Sequence, residues 1–210
     1  KLDAGVVQAQ LADTPVQELL SALEAEFALT ARGRGLELRV RPSRAIVRSD
    51  VRLLRRVLQN FVANAVRYTL RGGVLVGCRR RGNLLRIEVR DTGPGIAADQ
   101  LGRIFEEFYR VPAAQAGAAS TGKGFGLGLA IVDRIARRLG HRLGVHSVPG
   151  RGSVFAVEVP LGAASVPAAR PARRLRAPGS LAGVRALVID NDAAVLRAMV
   201  VLLESWQCEV

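Results

Sequence analysis

Asp91-Thr92-Gly93-Pro94-Gly95-Ile96 and, about thirty positions later, Gly122-Lys123-Gly124-Phe125-Gly126-Leu127-Gly128-Leu129 are the stretches that decide the fold of this chain. Upstream of both lies Gln59-Asn60-Phe61-Val62-Ala63-Asn64-Ala65-Val66-Arg67-Tyr68. Asp91 closes a strand pattern in which Leu85, Ile87 and Val89 alternate with Arg86, Glu88 and Arg90, so one face of that strand is buried. A carboxylate accepts hydrogen bonds and cannot donate them. That suits an exocyclic amine such as adenine's, and Gly93 and Gly95 let the backbone approach a flat ring closely. By itself the segment reads equally well as an Asp-Thr-Gly turn.

Gly124, Gly126 and Gly128 lead into a helix N-terminus, where unpaired N–H groups and the helix dipole favour phosphate. Two familiar phosphate loops are excluded. Gly117 to Lys123 has the spacing GxxxxGK, but Gly124 stands where a metal-binding Ser or Thr is needed and no strand leads in. The dinucleotide fingerprint GxGxxG fails because the spacing here is GxGxG. Asn60, Asn64 and Arg67 fall at i, i+4 and i+7 and form one stripe beside the core face of their helix. Asparagine is a mediocre helix former. An amide oxygen there can ligate Mg2+ without adding charge next to phosphates, and Arg67 can pair with a phosphate bidentately. Taken alone, the stripe is better read as exposed asparagines on a helix rim; the order of the three elements gives it a ligand role.

Around these motifs the pattern is mixed. Thr14-Pro15-Val16-Gln17 predicts a helix start with Thr14 as N-cap, Pro15 at N1 and Gln17 at N3. Val16, Leu20, Leu23 and Phe27 give its apolar face, and Gly33 and Gly35 end it. Residues 36–40 and 45–47 are short strand candidates. Asp50 opens a second helix whose Leu54, Leu58, Phe61 and Ala65 face the core. A hairpin follows over 74–79 and 84–90 around Gly82-Asn83. Then come a short helix over 101–109, a loop of small and polar residues over 110–121 expected to be mobile, and a helix over 127–139 ended by Gly140. Two strands over 142–148 and 153–159 flank the turn Pro149-Gly150-Arg151-Gly152. Residues 162–183 read as an Ala/Pro/Arg linker. Residues 184–189 read as a buried strand, followed by Asp190-Asn191-Asp192 and a helix over 193–206.

Composition bounds the function. The chain has 210 residues, 49% of them hydrophobic, enough for one or two domains with a proper core. No apolar run reaches the roughly 18 residues of a membrane span. Neither an initiator Met nor a signal-peptide pattern stands at Lys1, so the chain reads as a piece of something longer, in a cytoplasmic setting whose parent could be membrane-anchored. Cys78 and Cys208 lie far apart and suggest no disulfide framework or metal cluster. His141 and His146 are expected to be surface or strand histidines. The net charge of +13 invites a nucleic-acid reading. The arginines are scattered, however, and aromatics make up only 4%, so no stacking platform is expected and no direct nucleic-acid partner is assigned.

Together these residues resemble the catalytic ATP-binding domain of bacterial sensor histidine kinases, over residues 14–161. The family's asparagine box matches at Asn60, Asn64, Arg67 and Tyr68, and its first glycine box at Asp91, Gly93 and Gly95, with Ile96 following. The phenylalanine box is similar to Ile104-Phe105-Glu106-Glu107-Phe108, and the second glycine box matches at Gly124, Gly126 and Gly128, with Lys123, Leu127 and Leu129 alongside. Arg67 stands where lysine is common, and Phe125 is bulkier than usual. The resemblance implies a two-layer α/β sandwich, the Bergerat (GHKL) ATP-binding fold, with a mixed sheet and helices on one face. It implies ATP and Mg2+ as cofactors, Asn64 as the protein ligand of Mg2+, and Asn60, Arg67 and Lys123 as the catalytic residues. As ATP contacts it implies the matched residues of the asparagine and two glycine boxes with Ile96, Lys123, Leu127 and Leu129, and Phe105 alone from the phenylalanine box.

Residues 1–13 resemble the end of the dimerisation helix pair that carries the phosphoaccepting histidine. Residues 184–210 resemble the first strand and helix of a response-regulator receiver domain, with Asp190 and Asp192 at its acidic metal pocket, in an incomplete β-α unit too small to bury a core of its own. The implied parent is a homodimeric hybrid histidine kinase. Its catalytic module would pass the γ-phosphoryl group of Mg-ATP to that histidine, for relay to a receiver aspartate. Two other classes stay open. One is an ATP-driven clamp of the gyrase and mismatch-repair kind, which carries a glutamate base where this chain has Asn60. The other is a non-catalytic scaffold.

Overall fold

The computed structural model describes residues 9–111, 125–163, 183–188 and 193–209. The chain divides into two compact units, Lys1–Ala164 and Ser165–Val210.

The first unit runs β1 (Ala12–Pro15), α1 (Val16–Gly33), β2 (Glu37–Val40), β3 (Ile46–Ser49), α2 (Val51–Tyr68), β4 (Gly73–Arg81), β5 (Leu84–Asp91), a 3-10 turn (Ala98–Gln100), α3 (Gly128–Leu139), β6 (Arg142–Val148) and β7 (Gly152–Pro160). Five strands form one sheet in the order β2-β4-β5-β7-β6, parallel between β2 and β4 and antiparallel elsewhere, while β1 and β3 pair separately. This is the mixed sheet and α/β sandwich that the sequence implied. Register puts Val76, Val89, Phe155 and Val145 in one row across four strands. That face joins Leu20, Leu54, Leu58 and Phe61 of the helices in a single core. Phe61 and Phe155 meet with ring centroids 5.5 Å apart, which fixes α2 against the sheet.

The opposite face of the sheet is roofed by charge instead of a second layer. Arg86 pairs with Glu88 at 2.8 Å and with Glu158 at 3.1 Å, and Arg90 pairs with Glu88 at 2.6 Å. Burial pushes the Glu88 carboxyl up, but the hydrogen bonds from Arg90 and Arg86 prevail and hold it below the usual carboxylate range. The lattice lies flat because the residues beneath it are small. A Cβ at Gly144 would sit 2.8 Å from Arg86 Nη1. Such a network does more than an isolated surface pair.

Asp50 opens α2 as expected. Its Oδ1 accepts from the N–H groups of Arg52 at 3.0 Å and Leu53 at 3.2 Å, and its Oδ2 from Gln10 N–H at 2.9 Å. Gly140, with φ 66°, ends α3.

Several expectations need correction. Thr14 is not an N-cap: it lies in β1 opposite Val47, and Pro15 takes the cap position with no side-chain bond. Strand pairing with β3 outcompetes local capping, and Val16 N–H donates to the Ala45 carbonyl. Gln17 Oε1 accordingly accepts from Ser43 N–H instead of closing a capping box. Residues 101–109 form successive turns after the 3-10 turn, not a helix. Phe108 there has φ 62° and donates its N–H to the Gly126 carbonyl, which breaks helical continuation. His141 is buried, and its Nε2 lies 2.8 Å from Ser49 Oγ. Burial pushes the Cys78 thiol up to about 11, which keeps it protonated and unreactive, and neither it nor Cys208 forms a disulfide.

In the second unit a helix, α4 (Ala193–Ser205), forms as expected. Residues 183–188 are not a strand: a single bridge joins Arg185 to Glu209, and Leu187 is 87% exposed. A strand needs a ladder, and among the described residues only this one-residue partner is present. Asp190 and Asp192 lie outside the described residues, as does most of the 162–183 linker. No helix among the described residues is long and apolar enough to cross a membrane.

Candidate functional site

A cavity of about 420 Å³ opens between α2, the loop after β5 and the start of α3. That volume suits a nucleotide-sized ligand. Its polar lining includes Asn60, Asn64, Arg67 and Asp91, which come from α2 and the end of β5 yet face one space. Tyr68, Gly95, Ile96, Gly126, Leu127, Gly128 and Leu129 line it as well. Two residues named from sequence do not. Gly93 lies behind Asp91, and Phe105 packs half-buried against the core while its neighbour Ile104 reaches the cavity. Lys123 and Gly124 lie outside the described residues.

At the β5 end Asp91 Oδ1 accepts from Gly93 N–H at 2.8 Å and from Ser153 N–H at 3.3 Å. Both bonds fall on the same oxygen, which leaves Oδ2 available to an incoming donor. Burial pushes the Asp91 carboxyl above the usual carboxylate range, and the bonds from Gly93 and Ser153 offset only part of that. Gly95 is obligatory: its φ is 72°, and a Cβ would lie 2.1 Å from the Val148 carbonyl oxygen. Close approach of the loop to the β6–β7 turn is what sets Asp91 at the cavity wall.

At the α2 end the apolar stripe Leu54, Leu58, Phe61 and Ala65 is buried, which turns the asparagines to the cavity. Asn64 Nδ2 donates to Asn60 Oδ1 at 3.1 Å. The Asn64 carbonyl oxygen is thereby directed away from its neighbour. Arg67 sits 5.9 Å from the Tyr68 ring centroid, and its backbone carbonyl accepts from Arg34 at 3.0 Å. A Cβ at Gly128 would lie 2.7 Å from Asn60 Nδ2, so glycine lets α3 begin against α2. Among the described residues no side chain caps α3, and its first residues, Gly128 and Leu129, line the cavity.

Sequence reading missed Tyr109, Arg110, Ser153 and Phe155, all of which line the cavity. Tyr109 and Arg110 directly follow the phenylalanine box, and an aromatic-basic pair bordering a loop is the signal that could have drawn attention to them. Ser153 had no local signal, because its role depends on a strand pairing 62 residues from Asp91.

Among the described residues no three His, Cys, Asp or Glu side chains are grouped to hold a metal ion. Any metal here would rely on an amide oxygen and on ligand phosphates.

The family described as "Histidine kinase-, DNA gyrase B-, and HSP90-like ATPase" matches residues 49–163. An uncharacterized sensor-like histidine kinase of Rhizobium meliloti (strain 1021) is 34% identical over 163 residues, 76% of this chain and 30% of its own length. The aerobic respiration control sensor protein ArcB of Escherichia coli (strain K12) is 36% identical over 156 residues, 71% of this chain and 20% of its own length. The crystal structure of full-length ShkA in complex with AMPPNP superposes with a TM-score of 0.67 at 31% identity, covering 98% of this chain and 41% of that one. The chain thus spans less than half the length of these relatives. An ATPase-type sandwich with its asparagine helix and glycine loops around one cavity, and a family model matched over residues 49–163, place this chain in the histidine kinase-, DNA gyrase B- and HSP90-like ATPase family.

Proposed function

We propose that this domain binds Mg-ATP in the cavity and presents its γ-phosphoryl group to a histidine on a dimerisation helix, for relay to a receiver aspartate. The observation that carries the reading is Asp91: a half-buried carboxylate at the cavity wall, with one oxygen anchored by two N–H groups and the other left to an incoming donor. Oδ2 accepts from the adenine amine, while Ile96, Ile104 and Leu129 enclose the ring. The ring's outer side meets Tyr68 and Tyr109. The triphosphate then extends toward Asn60, Asn64, Arg67 and the uncapped start of α3, with Lys123 and Gly124 as further contacts expected from the family boxes. AMPPNP in ShkA supports a nucleotide in this fold.

The residues fit a hard cation. Asn64 offers one neutral oxygen, and water and phosphate oxygens would complete an octahedral shell, as Mg2+ prefers. When bound, the ion would neutralise charge on the phosphates. The chain's own residues do the remainder: Arg67 and the helix N–H groups hold phosphate, and the enclosing apolar side chains exclude water.

Transfer fits better than hydrolysis. Asp91 is the only carboxylate among the described lining residues, and it stands at the base end. Asn60 is an amide bonded to Asn64, so neither can activate water as a base. That observation favours the kinase over the gyrase-type clamp.

The test is incubation with labelled ATP, followed by addition of a separate protein carrying the dimerisation helices of a sensor kinase. Label on the added helices, labile to acid and stable to base, is expected. Release of free phosphate with no label on the helices would overturn the reading. Asn64→Ala should weaken Mg-ATP binding about tenfold through loss of the metal ligand.

A further inference from the structure

Ser147, the next-to-last residue of β6, does not line the cavity, yet it touches both arms that hold Asp91. Its Oγ accepts the Ile96 N–H at 2.7 Å and donates to the Gly152 carbonyl at 3.1 Å. It also lies 3.0 Å from Ser153 Oγ, and Ser153 is its register partner in β7. The first contact fastens the end of the loop that begins at Asp91. The last fastens the residue whose N–H donates to Asp91 Oδ1. Around the hydroxyl the fit leaves no slack. Gly150 N–H donates to the Pro94 carbonyl at 2.7 Å, and a Cβ at Gly152 would fall 1.9 Å from the Asp91 carbonyl oxygen. One half-buried hydroxyl therefore joins the base-reading loop to the turn beneath it.

We infer that Ser147 is a positioning residue of the base subsite: it sets the affinity for the purine through Ile96 and Ser153 without contacting the nucleotide. Removing its oxygen leaves the Ile96 N–H without its partner and lets the loop after Asp91 shift, since a buried N–H seeks a new acceptor. Ile96 is itself part of the cavity wall. The phosphate end lies on α2 and α3, on different elements from this network, so the effect should be confined to the base. The inference rests on the assignment of Asp91 to the base.

The experiment titrates wild type, Ser147→Ala, Ser147→Cys, Ser147→Thr and Asp91→Ala with two probes, adenosine and inorganic tripolyphosphate with Mg2+, and records the melting temperature of each protein. Ser147→Ala should lose roughly 5- to 20-fold in adenosine affinity, the worth of one buried hydrogen bond. Its tripolyphosphate affinity should stay unchanged, Ser147→Cys should be intermediate, and Ser147→Thr should recover most of the loss. Wild-type adenosine affinity in both Ser147→Ala and Ser147→Cys would overturn the inference. So would an equal loss for tripolyphosphate, which marks general damage. Wild-type adenosine affinity in Asp91→Ala would instead remove the base assignment beneath it. Should Ser147→Ala fail to fold, the Cys and Thr variants carry the same comparison.

Discussion

At the end of the cavity proposed for the base the polar atoms are fastened to a β-hairpin, whereas at the end proposed for the phosphates they ride on helix α2 and the first turn of α3. Asp91 Oδ1 is fixed by two backbone N–H groups, and its loop is stitched to the β6–β7 turn. Asn60 and Asn64 are fixed by one amide-amide bond between neighbours on the same helix. The difference teaches what each end has to do. A flat base is read by a rigid acceptor at one distance, so the sheet supplies it. Phosphates and a hydrated ion vary in position through a reaction, so side chains on a helix rim and open N–H groups suit them.

The largest effect that would sharpen this contrast is at Gly95. Gly95→Ala forces a Cβ to within 2.1 Å of a carbonyl oxygen at a φ of 72°, and both faults strike the base end. We expect a stability loss on the order of 3 kcal/mol and no measurable nucleotide binding, read by thermal melting and calorimetry. A variant of wild-type stability would show that the loop is free to move and break the contrast.

Gly128→Ala probes the other end. The atoms nearest to its Cβ would be those of the Asn60 amide, a side chain that can rotate. Alanine is also the better helix former by up to about 1 kcal/mol. Stability should therefore hold, while affinity for Mg-ATP falls roughly tenfold as Asn60 is displaced. Unchanged affinity would mean that the Asn60 amide has no part in the site.

The smallest effect lies outside the cavity, at His141. Burial holds this imidazole below its ordinary value, and Nδ1 has no partner among the described residues. The folded state thus binds the proton less readily than the unfolded chain. The neutral form's contribution is complete above the ordinary pKa of about 6.5 and is lost as pH falls toward the depressed folded value. Melting temperature should drop from pH 7 to pH 5 more steeply in the wild type than in His141→Leu. Parallel slopes would contradict a buried neutral histidine.

Local chemistry made much of this legible. Asp50 as a cap, the Leu54–Leu58–Phe61–Ala65 face and the Gly82-Asn83 hairpin are each written within a dozen residues. The family boxes named Asn60, Asn64, Arg67 and Asp91, and these four line one cavity. What sequence did not reveal depends on distant pairing. Thr14 is a strand residue because Val47 lies opposite it, and His141 is buried because Ser49, 92 residues away, receives it. Ser153 reaches Asp91 only through the pairing of β5 with β7. Periodicity also suggested a helix over 101–109, where Leu101, Ile104 and Phe105 are indeed partly or fully buried, but through successive turns.

The most direct test of the account is Asp91→Asn, measured for ATP affinity by calorimetry and for ligand-free stability by thermal melting. Asparagine keeps an acceptor for the N–H groups of Gly93 and Ser153 but can set an NH2 group against the adenine amine. Because burial raises the folded pKa of Asp91, its ionised form costs stability at neutral pH, and the neutral amide removes that cost. The account predicts an affinity loss of about 100-fold or more together with a ligand-free protein at least as stable as the wild type. Wild-type affinity for ATP in Asp91→Asn would contradict it.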